Sequence, residues 1–278
     1  MRRWWLIFRQ AITEFVADNG MKLSASLSYY TVFSLGPVLV IIISLAGIFF
    51  GRDAVRGKLF YQINGLVGND AALQIQDIIQ NIETSQSSTA GVIFGIVVLI
   101  VGATGVFAEI QDSINYIWAL KAKPPQGWLK LLINRLVSFS LIVSFGFILM
   151  VSLAVHALMD LLQERLVRLF DDATVILFQG INYIILFLVI TLLFAIIFKI
   201  LPDGAIRWKD SFVAAVFTAV LFLIGKFVIA FYMSASDIGD TYGAAASIII
   251  ILVWVYYSSI ILFFGAEFTK VYTMNFGS

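Results

Sequence analysis

The sequence predicts an all-α fold: a polytopic integral membrane helical bundle with six transmembrane helices. Three observations lead there. Hydrophobic residues make up 61% of the 278 and charged ones only 13%, whereas a soluble domain is about 45–50% apolar and about 25% charged. Six windows reach the roughly 20 mostly apolar residues that a spanning helix needs: 24–50, 90–108, 136–159, 173–198, 211–233 and 243–266. Between them, the basic residues fall unequally on the two sides. No stretch outside the windows is long enough for a sizeable soluble domain, so residues 1–278 are expected to form a single membrane domain.

The opening stretch, MRRWWLIFRQAITEFVADNG, has too short an apolar core for a signal peptide and no small-residue cleavage site after it. Trp4, Phe8, Ile12 and Phe15 share one helical face, with Arg2, Arg3 and Arg9 available to headgroups. This predicts an N-terminal interfacial amphipathic helix within residues 1–23.

The first span carries Gly36-Pro37 midway, and a proline there removes a backbone hydrogen bond, so a kink is expected. Either the kink serves packing, or, with Tyr29, Tyr30 and Ser34 in the same half, it marks a discontinuous helix lining a cavity. In the loop 51–89, Ile75, Ile78, Ile79 and Ile82 recur at helical spacing after a capping GND, and LLQERLVRLF fills the next outer loop. Short amphipathic helices are expected in both.

The second span contains VLIVGATGVFAEI, whose Gly102-Ala-Thr-Gly105 looks like a phosphate-binding turn. That chemistry requires strand, turn and helix in a parallel sheet, and this run is long enough to span instead. Gly91, Gly95 and Gly102 are therefore read as a small-residue seam for helix packing. At the end of this span Glu109 and Asp112 share a face with Tyr116. They are either solvated partners of Arg135 or Lys130, or part of a polar lining. His156 and Asp160, four apart at the end of the third span, read as a local surface pair.

Lys226, in the fifth span, sits roughly 10–12 Å inside the nearer boundary by helical rise. A lysine at depth costs about 2.5–3.5 kcal/mol on insertion scales. Its helical row of Ala214, Thr218, Phe222 and Ala230 is mostly small or polar. It either snorkels towards Asp237 or Asp240 or forms an inward-facing cationic site. The last span contains VWVYYSSII in its charge-free run. Hydroxyls in hydrocarbon need partners, so Tyr256, Tyr257 and Ser259 should point into the bundle, with Glu267 further along the same face as Tyr256. There they tie helices together or line a solute path.

Lysine and arginine set the orientation. Arg2, Arg3, Arg9, Lys22, Lys121, Lys123, Lys130, Arg135, Lys199, Arg207, Lys209 and Lys270 lie on one side. The other holds only Arg52, Arg56, Lys58, Arg165 and Arg168. Both termini are expected in the cytoplasm. Trp4, Trp5, Trp118, Trp128 and Trp208 gather at that same interface, where amphipathic rings settle.

Cysteine is absent, which excludes disulfides, thiolate catalysis and cysteine-ligated metals. With His156 the single histidine and a net charge of +1, neither a histidine-cluster metal site nor nucleic-acid binding is expected. No nucleophile and base pair at plausible depth, so no catalytic residues and no cofactor are expected.

Four segments carry a resemblance: DNGMKLSASLSYYTVFSLGPVLV, GATGVFAEIQDSINYIW, LPDGAIRWKD and TYGAAASIIIILVWVYYSSIILFFGAEFTKVY. In these the chain resembles the YihY family of bacterial inner-membrane proteins, also called the virulence factor BrkB family, over nearly its whole length. The resemblance implies six spanning helices in the bacterial cytoplasmic membrane. Some members are labelled ribonuclease BN, but these residues supply no nuclease site. The function expected is movement of a small solute or lipid-like molecule through a polar cavity between helices. The candidate path residues are Lys226, Tyr256, Tyr257, Ser259, Tyr29, Tyr30, Ser34, Pro37, Glu109, Asp112 and Glu267. The competing class is a non-transporting scaffold for envelope assembly. The expected partners are the lipid bilayer and an unknown solute or lipid, and homo-oligomerisation is left open.

Overall fold

The computed structural model describes residues 2–50, 56–57, 60, 72–73, 76–77, 80, 89–120, 172–204, 206–234 and 246–276. Its long elements are all helical: α1 (Arg2–Ala17), α2 (Gly20–Phe50), α3 (Thr89–Ile117), α4 (Asp172–Ile200), α5 (Trp208–Ser234) and α6 (Ala246–Phe276). The five from α2 to α6 overlap five of the six expected windows. The third window, 136–159, lies outside the described residues, as do His156, Asp160, LLQERLVRLF and the isoleucines of the 51–89 loop.

Local chemistry sets the helix ends. Asn19 stands between α1 and α2 with φ of 56°, a left-handed conformation that asparagine tolerates better than most residues and that commonly ends a helix. Its carbonyl accepts from the Lys22 and Leu23 amides and so begins α2. A Cβ on Gly20 would fall 2.2 Å from the Phe15 ring, so this corner closes only over a glycine. At the end of α3, Ala119 takes φ of 49° while the Leu120 amide returns to the Asn115 carbonyl. Pro202, just past Ile200, prevents α4 from continuing, and the turn passes buried Leu201 and Ile206 into α5.

Helix α6 occupies the centre. On one flank it packs against α2, which pairs with α3, and on the other against α5, which pairs with α4. Among the described residues, neither helix of one pair packs extensively on a helix of the other. The core holds Phe198, Phe263, Phe268, Ile114 and Val271, all essentially inaccessible. Outward faces carry apolar rows at helical spacing, Ile184, Leu188 and Leu192 on α4 and Val220, Ile224 and Phe227 on α5. Exposed stripes of this kind suit contact with lipid. Within α5 and α6, 208–229 and 248–276 are 22 and 29 residues long and apolar enough to cross a bilayer.

One local expectation meets a different arrangement. Helix α1 buries Ile7, Ala11 and Phe15, whereas Ile12 is 44% exposed. The buried face is chosen by α6, whose Phe264, Phe268 and Tyr272 form an aromatic row. Phe8 and Phe15 meet Phe264 edge-on, each at 5.8 Å between centroids, and Trp4 stacks on Tyr272 at 5.8 Å. Helix α2 runs through Pro37 without ending there. Gly102 of α3 faces that proline, and a Cβ on it would lie 3.0 Å from Pro37 Cγ.

Candidate functional site

Where α6 ends and α1 lies against it, four charged side chains converge. The Lys270 ammonium is 2.8 Å from Glu267 Oε1, 2.9 Å from Glu14 Oε2 and 3.2 Å from Asp18 Oδ2. Glu14 and Asp18 are four apart on α1, and Glu267 and Lys270 three apart on α6, so each pair projects from one face. Gln10 donates to the free oxygen of Glu14 at 2.7 Å. Burial acts to raise the Glu14 carboxyl, but hydrogen bonds from Lys270 and Gln10 outweigh it and hold the group below the ordinary glutamate range. Glu267 is wholly buried, and its Oε2 has no hydrogen-bond partner among the described residues.

The second polar cluster joins the two helix pairs at the same end of the bundle. Asn115 of α3 accepts from the Asp203 backbone amide through Oδ1 and donates to the Asp203 carboxylate through Nδ2, each at 2.9 Å. Gln111 adds a longer bond of 3.4 Å to the other carboxylate oxygen. Asp203 sits in the turn between α4 and α5, so this latch spans the flanks that α6 otherwise separates. Nearby, Ser26 of α2 donates to Glu109 at 2.6 Å. Asp112 is exposed, and partial desolvation, then the charges of Glu109 and Asp203, push its carboxyl above the usual aspartate range.

The third group lies further along α5 and α6. Tyr257 packs over Gly225, where an added Cβ would come within 1.8 Å of the phenol oxygen. This places the hydroxyl one residue from Lys226, whose side chain is half-buried, as is that of Tyr256. Ser259 is buried and donates to the Val255 carbonyl at 2.7 Å, and Ser258 donates to Trp254 at 2.9 Å. Both hydroxyls are therefore satisfied by their own helix.

The residues singled out by sequence do not gather in one place. Glu267 belongs to the cluster at α1, Glu109 and Asp112 stand beside the latch, and Lys226, Tyr256 and Tyr257 lie apart from both. Tyr29 and Tyr30 are exposed and form an edge-to-face pair at 6.0 Å, with Phe33 against Tyr29 at 4.8 Å. Ser34 is buried and faces Gly105, and Pro37 packs on Gly102. Gly91 and Gly95 lie in α3, with surroundings outside the described residues. Sequence reasoning missed Glu14, Asp18, Asn115 and Asp203 as site residues, and Lys270 counted only towards orientation. The spacings in EFVAD and EFTK carried a signal for the first cluster, because each sets opposite or repeated charges on one helical face.

Long helices with lipid-suited outer faces and, among the described residues, polar clusters at one end of the bundle define a helical membrane protein. The chain belongs to the Virulence factor BrkB family, whose pattern it matches over residues 11–277. Among its relatives, a UPF0761 membrane protein of Verminephrobacter eiseniae is 25% identical over 272 residues, covering 95% of this chain and 62% of the relative. One from Psychrobacter sp. is 24% identical, covering 98% of this chain and 49% of the relative. A third, from Pseudoalteromonas atlantica, is 28% identical, with 99% and 90% covered. The chain thus spans about half to two-thirds of the length of the first two and most of the third. No solved structure matches it.

Proposed function

We propose that this protein is a transporter or exporter that moves a small solute or lipid-like molecule across the bacterial inner membrane, without catalysis, cofactor or nucleic acid. In this reading it has six spans and both termini in the cytoplasm. The observation that carries it is the layout around α6. Among the described residues, the pairs α2–α3 and α4–α5 each pack on this one helix and meet at one end through the Asn115–Asp203 latch. Two helix pairs hinged on a shared helix can rock against each other, which is the motion that alternating access requires. The latch would close the cytoplasmic side, and Lys226 with Tyr256 and Tyr257 would border the path from the periplasm. The ammonium suits an anionic or zwitterionic group. The competing scaffold reading is favoured by Ser258 and Ser259, whose hydroxyls bond their own helix instead of a passing solute.

The natural absence of cysteine makes a direct test available. Lys226→Cys and Tyr256→Cys, each introduced alone, are expected to react in intact cells with a charged, membrane-impermeant thiol reagent. Water must reach these positions for the thiolate to form and for the reagent to arrive. If neither position reacts from either side of the membrane, the path does not exist and the scaffold reading replaces it.

Orientation has its own test. The excess of basic residues on the side of both termini predicts that a reporter fused after Ser278 is active only in a cytoplasmic-sensing form. Activity of a periplasm-dependent reporter at that position would invert the assignment of the latch to the cytoplasmic side.

A further inference from the structure

The joint between α1 and α6 holds more acid than base. Three carboxylates answer to the single ammonium of Lys270. Glu267 is inaccessible to solvent, and its Oε2, buried in the joint, has no partner among the described residues. A buried carboxylate oxygen left without a donor is costly. The Glu14 and Glu267 carboxyl groups are neighbours on one ammonium, 2.9 and 2.8 Å from Lys270 Nζ, where a hydrogen bond between them would relieve the crowding of like charge. Ionised carboxylates are acceptors only, so such a bond forms when one of the two carries a hydrogen.

We infer that Glu267 and Glu14 hold one exchangeable proton between their carboxyl groups, with Lys270 as the fixed counter-charge, making this joint a proton-binding site. Glu14 is the member suited to remain ionised, since Lys270 and Gln10 both donate to it. The proton then resides on Glu267, where it removes the unpaired buried charge. Asp18 completes the set from α1, at the rim of the cluster.

Among the described residues, charged side chains on the other helices packed against α6 are engaged elsewhere, face solvent or lie along a different part of α6. Lys22 of α2 and Lys209 of α5 are exposed, and Asp210 pairs with Arg207 at 3.1 Å. Lys199 of α4 donates to the Ile206 carbonyl, Glu109 of α3 accepts from Ser26, and Asp112 is exposed. Lys226 lies one residue from the Tyr257 contact, along a different part of α6. The site therefore answers to Glu14, Asp18, Glu267 and Lys270. Its existence does not depend on what, if anything, the protein transports.

Infrared difference spectroscopy on the full chain in lipid vesicles, stepped from mildly acidic to alkaline solution, reads the proton directly. The wild-type protein is expected to show the carbonyl stretch of a buried protonated carboxyl that disappears as the solution becomes alkaline. Glu267→Gln preserves shape and should remove that band, and Glu267→Asp should keep a titrating band at a shifted position. A wild-type spectrum with no such band overturns the proposal by itself, whatever the variants do. A band that survives unchanged in both variants overturns it too, by assigning the proton elsewhere. If Glu267→Gln does not fold, the wild type and Glu267→Asp still decide the matter.

Discussion

Lys270→Met is expected to destabilise the protein by about 3–5 kcal/mol at neutral pH, the range for removing one partner of a buried ionic group. The substitution keeps the length of the stem and deletes the charge. Glu14, Asp18 and Glu267 then face one another without a cation, at positions held by the docking of α1 on α6. The loss arises from the carboxylates left behind more than from the attraction removed, since an intact buried ion pair contributes little net stability over an apolar replacement. Two consequences distinguish this from a packing defect. The penalty should shrink in acid, where protonation discharges the carboxylates. The double variant Lys270→Met, Glu267→Met should be more stable than Lys270→Met alone, because it removes the most deeply buried of the three acids. Thermal unfolding of the purified variants across a pH series measures both. A Lys270→Met protein as stable as the parent would mean that the cluster is electrostatically idle.

Gly265→Ala is expected to cost about 1–3 kcal/mol, the usual penalty for overpacking a well-filled interior. An added Cβ would lie 2.3 Å from Thr218 Oγ1, and 2.8 Å from both Thr218 Cγ2 and Phe198 Cζ. Neither neighbour can yield easily. Thr218 is fully buried and its hydroxyl is bonded to the Ala214 carbonyl, while Phe198 is 1% exposed and stacked on Phe194. The position is where α4, α5 and α6 meet, so a shift there is felt by the whole flank. Thr218→Ala removes both clashing threonine atoms and should restore much of the loss in the double variant. Gly180→Ala, on α4 with nothing within 4 Å of its added Cβ, serves as the neutral comparison. Equal unfolding temperatures for Gly265→Ala and Gly180→Ala would show that the three-helix junction is loosely packed.

Most of the helical layout is written locally in the chain. Long apolar runs locate α2 to α6, because hydropathy over a window adds residue by residue and needs no partner to be read, although α3 and α6 continue nine and ten residues beyond their windows into charged sequence. The turn chemistry is similarly local: Asn19 takes its left-handed conformation and Pro202 stops α4 because of what those side chains are. The placement of Gly102 against Pro37 was partly legible too, since small residues at helical spacing mark close approach without naming the neighbour.

What only the tertiary structure decided is which faces meet. Helix α1 offers more than one apolar stripe, and the aromatic row of α6 selects Ile7, Ala11 and Phe15 over the stripe containing Ile12. Asp18 and Lys270 are 252 positions apart, and Asn115 and Asp203 are 88 apart. No periodicity within one helix can pair them. The same limit explains the serines of the last span: their hydroxyls could have bridged helices, lined a path or returned to their own backbone, and the sequence permits all three. Hydrophobicity fixes where a helix lies because it is a sum over one segment. Partnership depends on the shape and charge of a second segment, which enters only when the chain is packed.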